Sequence, residues 1–123
     1  MYARKILTEH EEQAALIQWA RLQSKSIPEL NMLFAIPNGG YRAKKTAVLL
    51  KKEGVVSGVP DLMLAYSSSD YHGLFIEMKR TCGGNITDNQ IEWKNKLNQQ
   101  GYLSVICKGF DAAKSEIMRY LRK

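Results

Sequence analysis

Three charged residues lie at or within apolar segments in the middle of the chain, where charge is costly unless it is paired or binds a metal. Asp61 precedes a short apolar run at residues 62–66, and Glu77 and Lys79 lie inside a second run at residues 74–79. Carboxylate oxygens suit a hard divalent cation, and a lysine next to them adds a cationic group. The three residues therefore predict a cation site beside a lysine.

A β-hairpin is needed to bring these residues together. Both runs are short, apolar and bounded by Gly, Pro, Ser or Asp, which is typical of strands buried in a sheet. Side chains alternate along a strand, so Glu77 and Lys79 should share a face with Phe75. Asp61, at the start of the partner strand, can then lie opposite Glu77. The alternative is a hairpin that carries only a surface ion pair between Glu77 and Lys79.

A first helix is predicted from Thr8 to about residue 23, because Thr8 and Glu11 have the spacing of a capping box. Its apolar face consists of Leu16, Ile17 and Ala20. At about 100° per residue, Glu9 falls on that inward face, whereas Glu12 lies at its edge and is predicted to be a surface charge. Alternatively, Glu9 only interacts favourably with the helix dipole.

A strand is predicted at residues 31–36, followed by a Pro-Asn-Gly-Gly turn and a basic helix at residues 43–53. The turn could present backbone amides to a phosphate, or it could be a tight connection only. The basic helix could contact phosphates or be an ordinary solvated surface. The candidate nucleic-acid contacts in this region are Asn38, Gly39, Gly40, Arg42, Lys44 and Lys45, and Lys51 and Lys52 are further charges on the helix.

The rest of the chain predicts a helix at residues 88–100, a strand at 102–107 and a helix at 111–121. Thr87 and Gln90 form a second capping-box pattern, which could be the whole role of Gln90. The alternation of helices and strands predicts the α/β class, with a mixed sheet flanked by helices.

Composition is that of one globular domain covering residues 1–123, with 45% hydrophobic and 24% charged residues. No apolar stretch approaches the roughly 20 residues that span a membrane. The two cysteines lack metal-site spacing, so reduced thiols in a cytoplasm are expected, and His10 and His72 are too scattered for a histidine metal site. The net charge of +6 favours a polyanionic partner, most simply nucleic acid.

The order of these motifs resembles the PD-(D/E)xK nucleases, and in particular the small stand-alone phage and bacterial proteins of the VRR-NUC family. The resemblance covers nearly the whole chain and rests on Pro37-Asn38-Gly39-Gly40, Gly58-Val59-Pro60-Asp61, Phe75-Ile76-Glu77-Met78-Lys79, Gln90, Trp93, Leu97 and Gly101-Tyr102. It implies an αβββαβ core, like that of restriction endonucleases, and a location in the cytoplasm of a bacterium or a phage-infected host.

The resemblance also implies roles for the site residues. Asp61, Glu77 and the backbone carbonyl of Met78 would hold one or two Mg²⁺ or Mn²⁺ ions, together with an acid from the first helix. Glu9 is favoured for that acid over Glu12. Lys79 would orient water or stabilise negative charge, and Gln90 would support the lysine and the substrate side.

Three functions follow as hypotheses. The first is a structure-specific DNA endonuclease, a Holliday-junction resolvase that acts as a homodimer. The second is a flap endonuclease, 5′ exonuclease or nickase with the same site. The third is a basic DNA-binding module whose acidic cluster only stabilises the fold.

Overall fold

A four-stranded sheet with helices on its faces organises the part of the chain that the structure describes. The structure is a computed structural model that describes residues 5–37 and 44–123, with only the main chain described for Lys44 and Lys45. The helices are α1 (Glu9–Gln23), α2 (Lys44–Lys52), α3 (Asp88–Gln99) and α4 (Phe110–Leu121), with a 3₁₀ helix at Pro28–Met32. The strands are β1 (Leu33–Ala35), β2 (Leu62–Leu64), β3 (Leu74–Lys79) and β4 (Leu103–Lys108).

The sheet is mixed, with the strand order β1-β2-β3-β4. β1, β2 and β3 pair antiparallel, and Leu62 is opposite Ile76. β4 pairs parallel with β3, with Leu74 opposite Leu103, so the connection between them crosses over through α3. The expected α/β class and mixed sheet are therefore confirmed, although the first strand of the hairpin ends at Leu64, earlier than predicted.

The hydrophobic core lies between one face of the sheet and helices α1 and α4. Its strand residues include Leu62, Leu64, Ile76 and Met78, and its helix residues include Leu16, Ala20, Ala113 and Ile117. Because side chains alternate along β3, Glu77 and Lys79 must occupy the opposite face, as the sequence predicted. All six residues of β3 are nonetheless buried, so the side chains of Glu77 and Lys79 are largely shielded from solvent.

Both predicted capping boxes are present. The amide of Glu11 donates to Thr8 Oγ1 at 3.1 Å, and the amide of Thr8 donates to Glu11 Oε1 at 3.0 Å. The second box pairs Thr87 with Gln90 in the same way, at 3.2 and 3.0 Å. These local hydrogen bonds fix the first turns of α1 and α3, the helices that carry Glu9 and Gln90.

The prediction of a strand at residues 31–36 was wrong at its beginning. Pro28 begins a 3₁₀ helix that extends to Met32, and the strand is limited to β1. Proline suits the first position of a helix because its φ is fixed and it has no amide hydrogen to lose. The guanidinium of Arg21 binds the carbonyls of Leu30 and Leu33, at 3.3 and 2.9 Å, and holds this turn against α1.

The prediction that Glu12 is a surface charge was also wrong. Its side chain is buried, with 5% of the residue exposed, and its Oε1 accepts a hydrogen bond from the amide of Phe110 at 3.2 Å. The N-cap of α4 is Gly109, which has no side chain to satisfy the first amides of that helix. Glu12 supplies the missing acceptor from α1, and a negative charge is favourable at a helix N-terminus.

The outer edge of β4 is partly covered by a side chain. The amide of Leu103 donates to Gly73 in the direction of β3, so the main-chain groups of the next residue, Ser104, point outward. Asn98 of α3 binds both of them, accepting from the Ser104 amide at 2.8 Å and donating to its carbonyl at 3.4 Å. In the described part of the chain, no helix has the length and apolar character to cross a membrane.

Candidate active site

Asp61, Glu77 and Lys79 are brought together where β2 begins and β3 ends. The pairing of Leu62 with Ile76 places Asp61 beside Glu77, as the alternation of the hairpin predicted. Asp61 Oδ2 accepts a hydrogen bond from the amide of Met78 at 2.7 Å, which fixes its carboxylate across the strand pair. Glu77 and Lys79 are each only 5% exposed, so their charges interact through a poorly screened medium.

The Glu77 carboxyl group is strongly perturbed. Burial, and then repulsion from Asp61, raise its pKa to about 9, and the nearby Lys79 only partly offsets this effect. Lys79 Nζ lies 3.7 Å from Glu77 Oε2 and 3.8 Å from Glu9 Oε1, which are ion-pair distances longer than a hydrogen bond. Three carboxyl groups thus lie near one lysine, and Glu77 is the one whose charged form burial and its neighbours disfavour.

The capping box of α1 directs Glu9 toward this site. Glu9 lines the same cleft as Asp61 and Glu77, and its side chain is 46% exposed. Glu12, one turn later, is directed instead at the N-terminus of α4. Of the two glutamates considered from sequence, the structure thus brings Glu9 to the site.

The side-chain amide of Gln90 both caps α3 and contacts Glu77 in the site. Its Oε1 accepts from the Thr87 amide at 3.0 Å, while its Nε2 donates to Glu77 Oε2 at 3.2 Å. The cap fixes which way the amide faces, so the nitrogen is directed at the carboxylate. Capping and a site contact are therefore compatible, although the contact is with Glu77, whereas the resemblance implied support of Lys79 and the substrate side.

A cleft of about 830 Å³ opens over these residues. Its far wall is formed by one face of α2 and by the segment from Gly54 to Val59. This segment touches α3 closely at Gly58, which has φ +92° and where an added Cβ would lie 2.7 Å from the main chain of Asn89. Glycine is required at this position, and the contact connects the far wall to the helix that carries Gln90.

The donor set fits a hard divalent cation. Burial and the charge of Asp61 raise the pKa of Glu77, so the two neighbouring carboxyl groups disfavour being ionised together, and a bound cation would favour the ionised form of both. Within residues 5–37 and 44–123, no three Asp, Glu, His or Cys side chains are grouped closely enough to hold an ion between them. A cation would therefore be held by Asp61 and Glu77 with further oxygens from the main chain or water, and the carbonyl of Met78 stays a prediction.

The predicted nucleic-acid contacts fall mostly outside the described residues. This applies to Asn38, Gly39, Gly40 and Arg42, and to the side chains of Lys44 and Lys45. The predicted basic helix itself is present as α2.

Lys51 lines the cleft. From the sequence it was one charge of a basic helix that could contact phosphates, and it was not singled out as a site residue. Ala47, Leu50, Lys51 and Gly54 all contribute to the far wall. Their spacing is that of one helix face. This periodicity was visible in the sequence, but nothing there showed that this face turns toward Asp61.

A mixed sheet flanked by helices, with carboxylates and a lysine at the ends of adjacent strands, is consistent with a restriction-endonuclease-like fold. The family model of the VRR-NUC domain matches residues 2–111, and the chain belongs to this family of nuclease domains. A solved structure described as a VRR-NUC domain protein is similar, with a TM-score of 0.81 and 33% sequence identity, over 96% of this chain and 91% of that chain. No curated protein is significantly similar to the chain.

Proposed function

We propose that the protein is a DNA endonuclease that depends on Mg²⁺ or Mn²⁺ and hydrolyses phosphodiester bonds in branched DNA. The observation that carries this proposal is the close placement of Asp61, Glu77 and Lys79 in one cleft of a nuclease-family fold. The net charge of +6 supports a polyanionic substrate.

The side chains would divide the work as follows. Asp61 and Glu77 would bind the cation, and Glu9, at the rim of the cleft and not grouped closely enough with them to be a third ligand, would act through a water molecule. When bound, Mg²⁺ or Mn²⁺ would lower the pKa of a coordinated water molecule and would neutralise the negative charge that develops on the phosphate. Lys79, held between Glu77 and Glu9, would orient the attacking water or stabilise the negative charge that develops. Gln90 would keep the Glu77 carboxylate oriented.

Within this activity, we propose a Holliday-junction resolvase that acts as a homodimer. A two-fold assembly would present two equivalent sites to two strands of a four-way junction. This step depends on the resemblance to small stand-alone VRR-NUC proteins, and the choice of substrate in the experiment below tests it directly.

The test uses a labelled four-way junction, a fork, a flap and a linear duplex, each incubated with the protein in Mg²⁺, Mn²⁺ or EDTA. Asp61→Asn serves as the inactive variant because its amide oxygen can still accept from the Met78 amide and preserve the fold. Asp111→Asn, at an exposed aspartate in the first turn of α4, is the matched control.

Paired symmetric nicks in the junction, absent in EDTA and in Asp61→Asn but present in Asp111→Asn, are expected. If flaps, ends or single strands are cut and the junction is not, the proposed active site still stands. The protein would then be a flap endonuclease, an exonuclease or a nickase, and not a resolvase. If the protein binds DNA but cleaves none of the substrates in Mg²⁺ or Mn²⁺, the proposal of a nuclease is contradicted. The hypothesis of a DNA-binding module would then be favoured.

A further inference from the structure

The charges that line the cleft are unevenly placed. The described lining includes three acids, Glu9, Asp61 and Glu77, and two cations, Lys51 and Lys79. Lys79 is buried and lies between Glu77 and Glu9, so its charge is shared with them. Lys51 is exposed and, among the described residues, has no ion-pair partner. Among the described residues that line the cleft, Lys51 is therefore the cation that a bound polyanion would meet without a carboxylate beside it.

The position of Lys51 follows from the helix that carries it. Ala47, Leu50 and Lys51 lie on the face of α2 that forms the far wall, whereas Val48 and Leu49 are about half exposed. Among the described elements, α2 makes only slight contact with other helices and strands. Packing against the described elements therefore gives no reason for Lys51 to face the cleft.

The C-terminal end of α2 is nevertheless held at a defined place. The amide of Val55 donates to the Leu50 carbonyl at 3.0 Å and ends the helix. The following segment is then fixed against α3, where Ser57 Oγ accepts from Asn89 Nδ2 at 3.4 Å and Gly58 touches the Asn89 main chain. Lys51 is thereby connected through a short segment to the helix that carries Gln90.

The ordinary explanation of Lys51 is that a cation near the C-terminus of a helix is favourable to the helix dipole. Lys52 provides the comparison, because it has the same charge, is also exposed and lies in the same last turn. Adjacent helical residues point about 100° apart, and Lys52 does not line the cleft. A role in the dipole would make the two lysines equivalent, whereas a role in the cleft would distinguish them.

We propose that Lys51 is a substrate-positioning residue that binds a backbone phosphate of the nucleic acid beside the phosphodiester held at Asp61 and Glu77. This inference rests on the proposed function for its substrate. A lysine acts on a phosphate as a point charge and carries no sequence information, so its effect should be the same for any DNA sequence.

The test measures the affinity of a fluorescently labelled four-way junction over a series of salt concentrations, in EDTA so that no bond is cut. Wild type is compared with Lys51→Ala, Lys51→Arg and Lys52→Ala. We expect Lys51→Ala to weaken binding several-fold and to reduce the slope of log affinity against log salt by about 1. Lys51→Arg should restore most of the affinity, and Lys52→Ala should change the slope less.

Cleavage kinetics in Mg²⁺ provide the second measurement. Loss of a positioning contact should raise KM in Lys51→Ala and leave kcat near that of wild type, and circular dichroism checks that the fold is retained. Equal effects of Lys51→Ala and Lys52→Ala, or no effect of either, would overturn the inference even if wild type cleaves DNA. If wild type binds DNA but does not cleave it, the proposed nuclease activity is contradicted. The salt series still tests whether Lys51 binds a phosphate, because it does not depend on cleavage. No binding by wild type would overturn both.

Discussion

Glu77 makes the stability of the metal-free protein depend on pH. Because burial beside Asp61 raises its pKa from 4.5 to about 9, the folded protein retains a proton over this range that the unfolded chain has lost. The folded state then binds more protons than the unfolded state, so the free energy of unfolding falls as the pH rises from about 4.5 to 9.

Glu77→Gln should therefore stabilise the protein in EDTA. The amide has nearly the same shape and still offers an oxygen to Gln90, but it does not titrate. We expect its Tm to equal that of wild type below the ordinary pKa of glutamate and to exceed it by several degrees near neutral pH. Thermal unfolding over a pH series is the measurement, with Glu92→Gln as the exposed control. Parallel pH profiles for wild type and Glu77→Gln would contradict this account.

The two contacts of Gln90 can be separated by substitution. Gln90→Glu keeps an acceptor for the capping box, since glutamate suits this position, but it replaces the donor to Glu77 with a like charge. Thr87→Ala does the reverse, removing the capping hydroxyl at a cost of about 1 kcal/mol while the contact with Glu77 remains. We expect Gln90→Glu to lower the cleavage rate more, and Thr87→Ala to lower the free energy of unfolding more. If the cleavage rate of both variants falls in proportion to their loss of folding free energy, Gln90 acts only as a helix cap.

At the scale of the elements, Glu12 connects α1 to α4 through its hydrogen bond with the Phe110 amide. Glu12→Ala removes the partner of the Phe110 amide and should cost about 1–3 kcal/mol of stability. Glu12→Gln keeps an oxygen at that place and should cost less. Urea unfolding measures both, with Glu53→Ala, at an exposed residue in the turn after α2, as the control. If Glu12→Ala were no more destabilising than Glu53→Ala, the cap would have no energetic importance.

Sequence patterns predicted the features that depend on neighbours in the chain. The capping boxes at Thr8 and Thr87 and the alternation along β3 follow from local patterns and are confirmed. The pairing of Leu62 with Ile76 also places Asp61 beside Glu77, as the predicted hairpin required. Glu12 was misassigned because it lies at the edge of the helix face and its partner is 98 residues away. The cleft-facing side of α2 was not identified because tertiary packing, and not helix periodicity, determines where a helix face points.

At the scale of the whole molecule, β4 leaves one edge of the sheet exposed to other strands. Unpaired main-chain groups on an edge strand can pair with another chain, which promotes aggregation. Asn98 occupies these groups at Ser104, so Asn98→Ala should lengthen the free edge. We expect more light scattering on heating than for wild type, and little change for Asn95→Ala, an exposed asparagine on the same helix. Equal scattering by the two variants would contradict a protective role for Asn98.

The hydrogen bond between Glu12 and the Phe110 amide also bears on the order of events during synthesis. It joins residues 98 positions apart, so it cannot form until Phe110 has left the ribosome. Until then α1 has its own capping box but not its hydrogen bond to the N-terminus of α4. The helix that carries Glu9 should thus take its final place in the fold only when α4 docks.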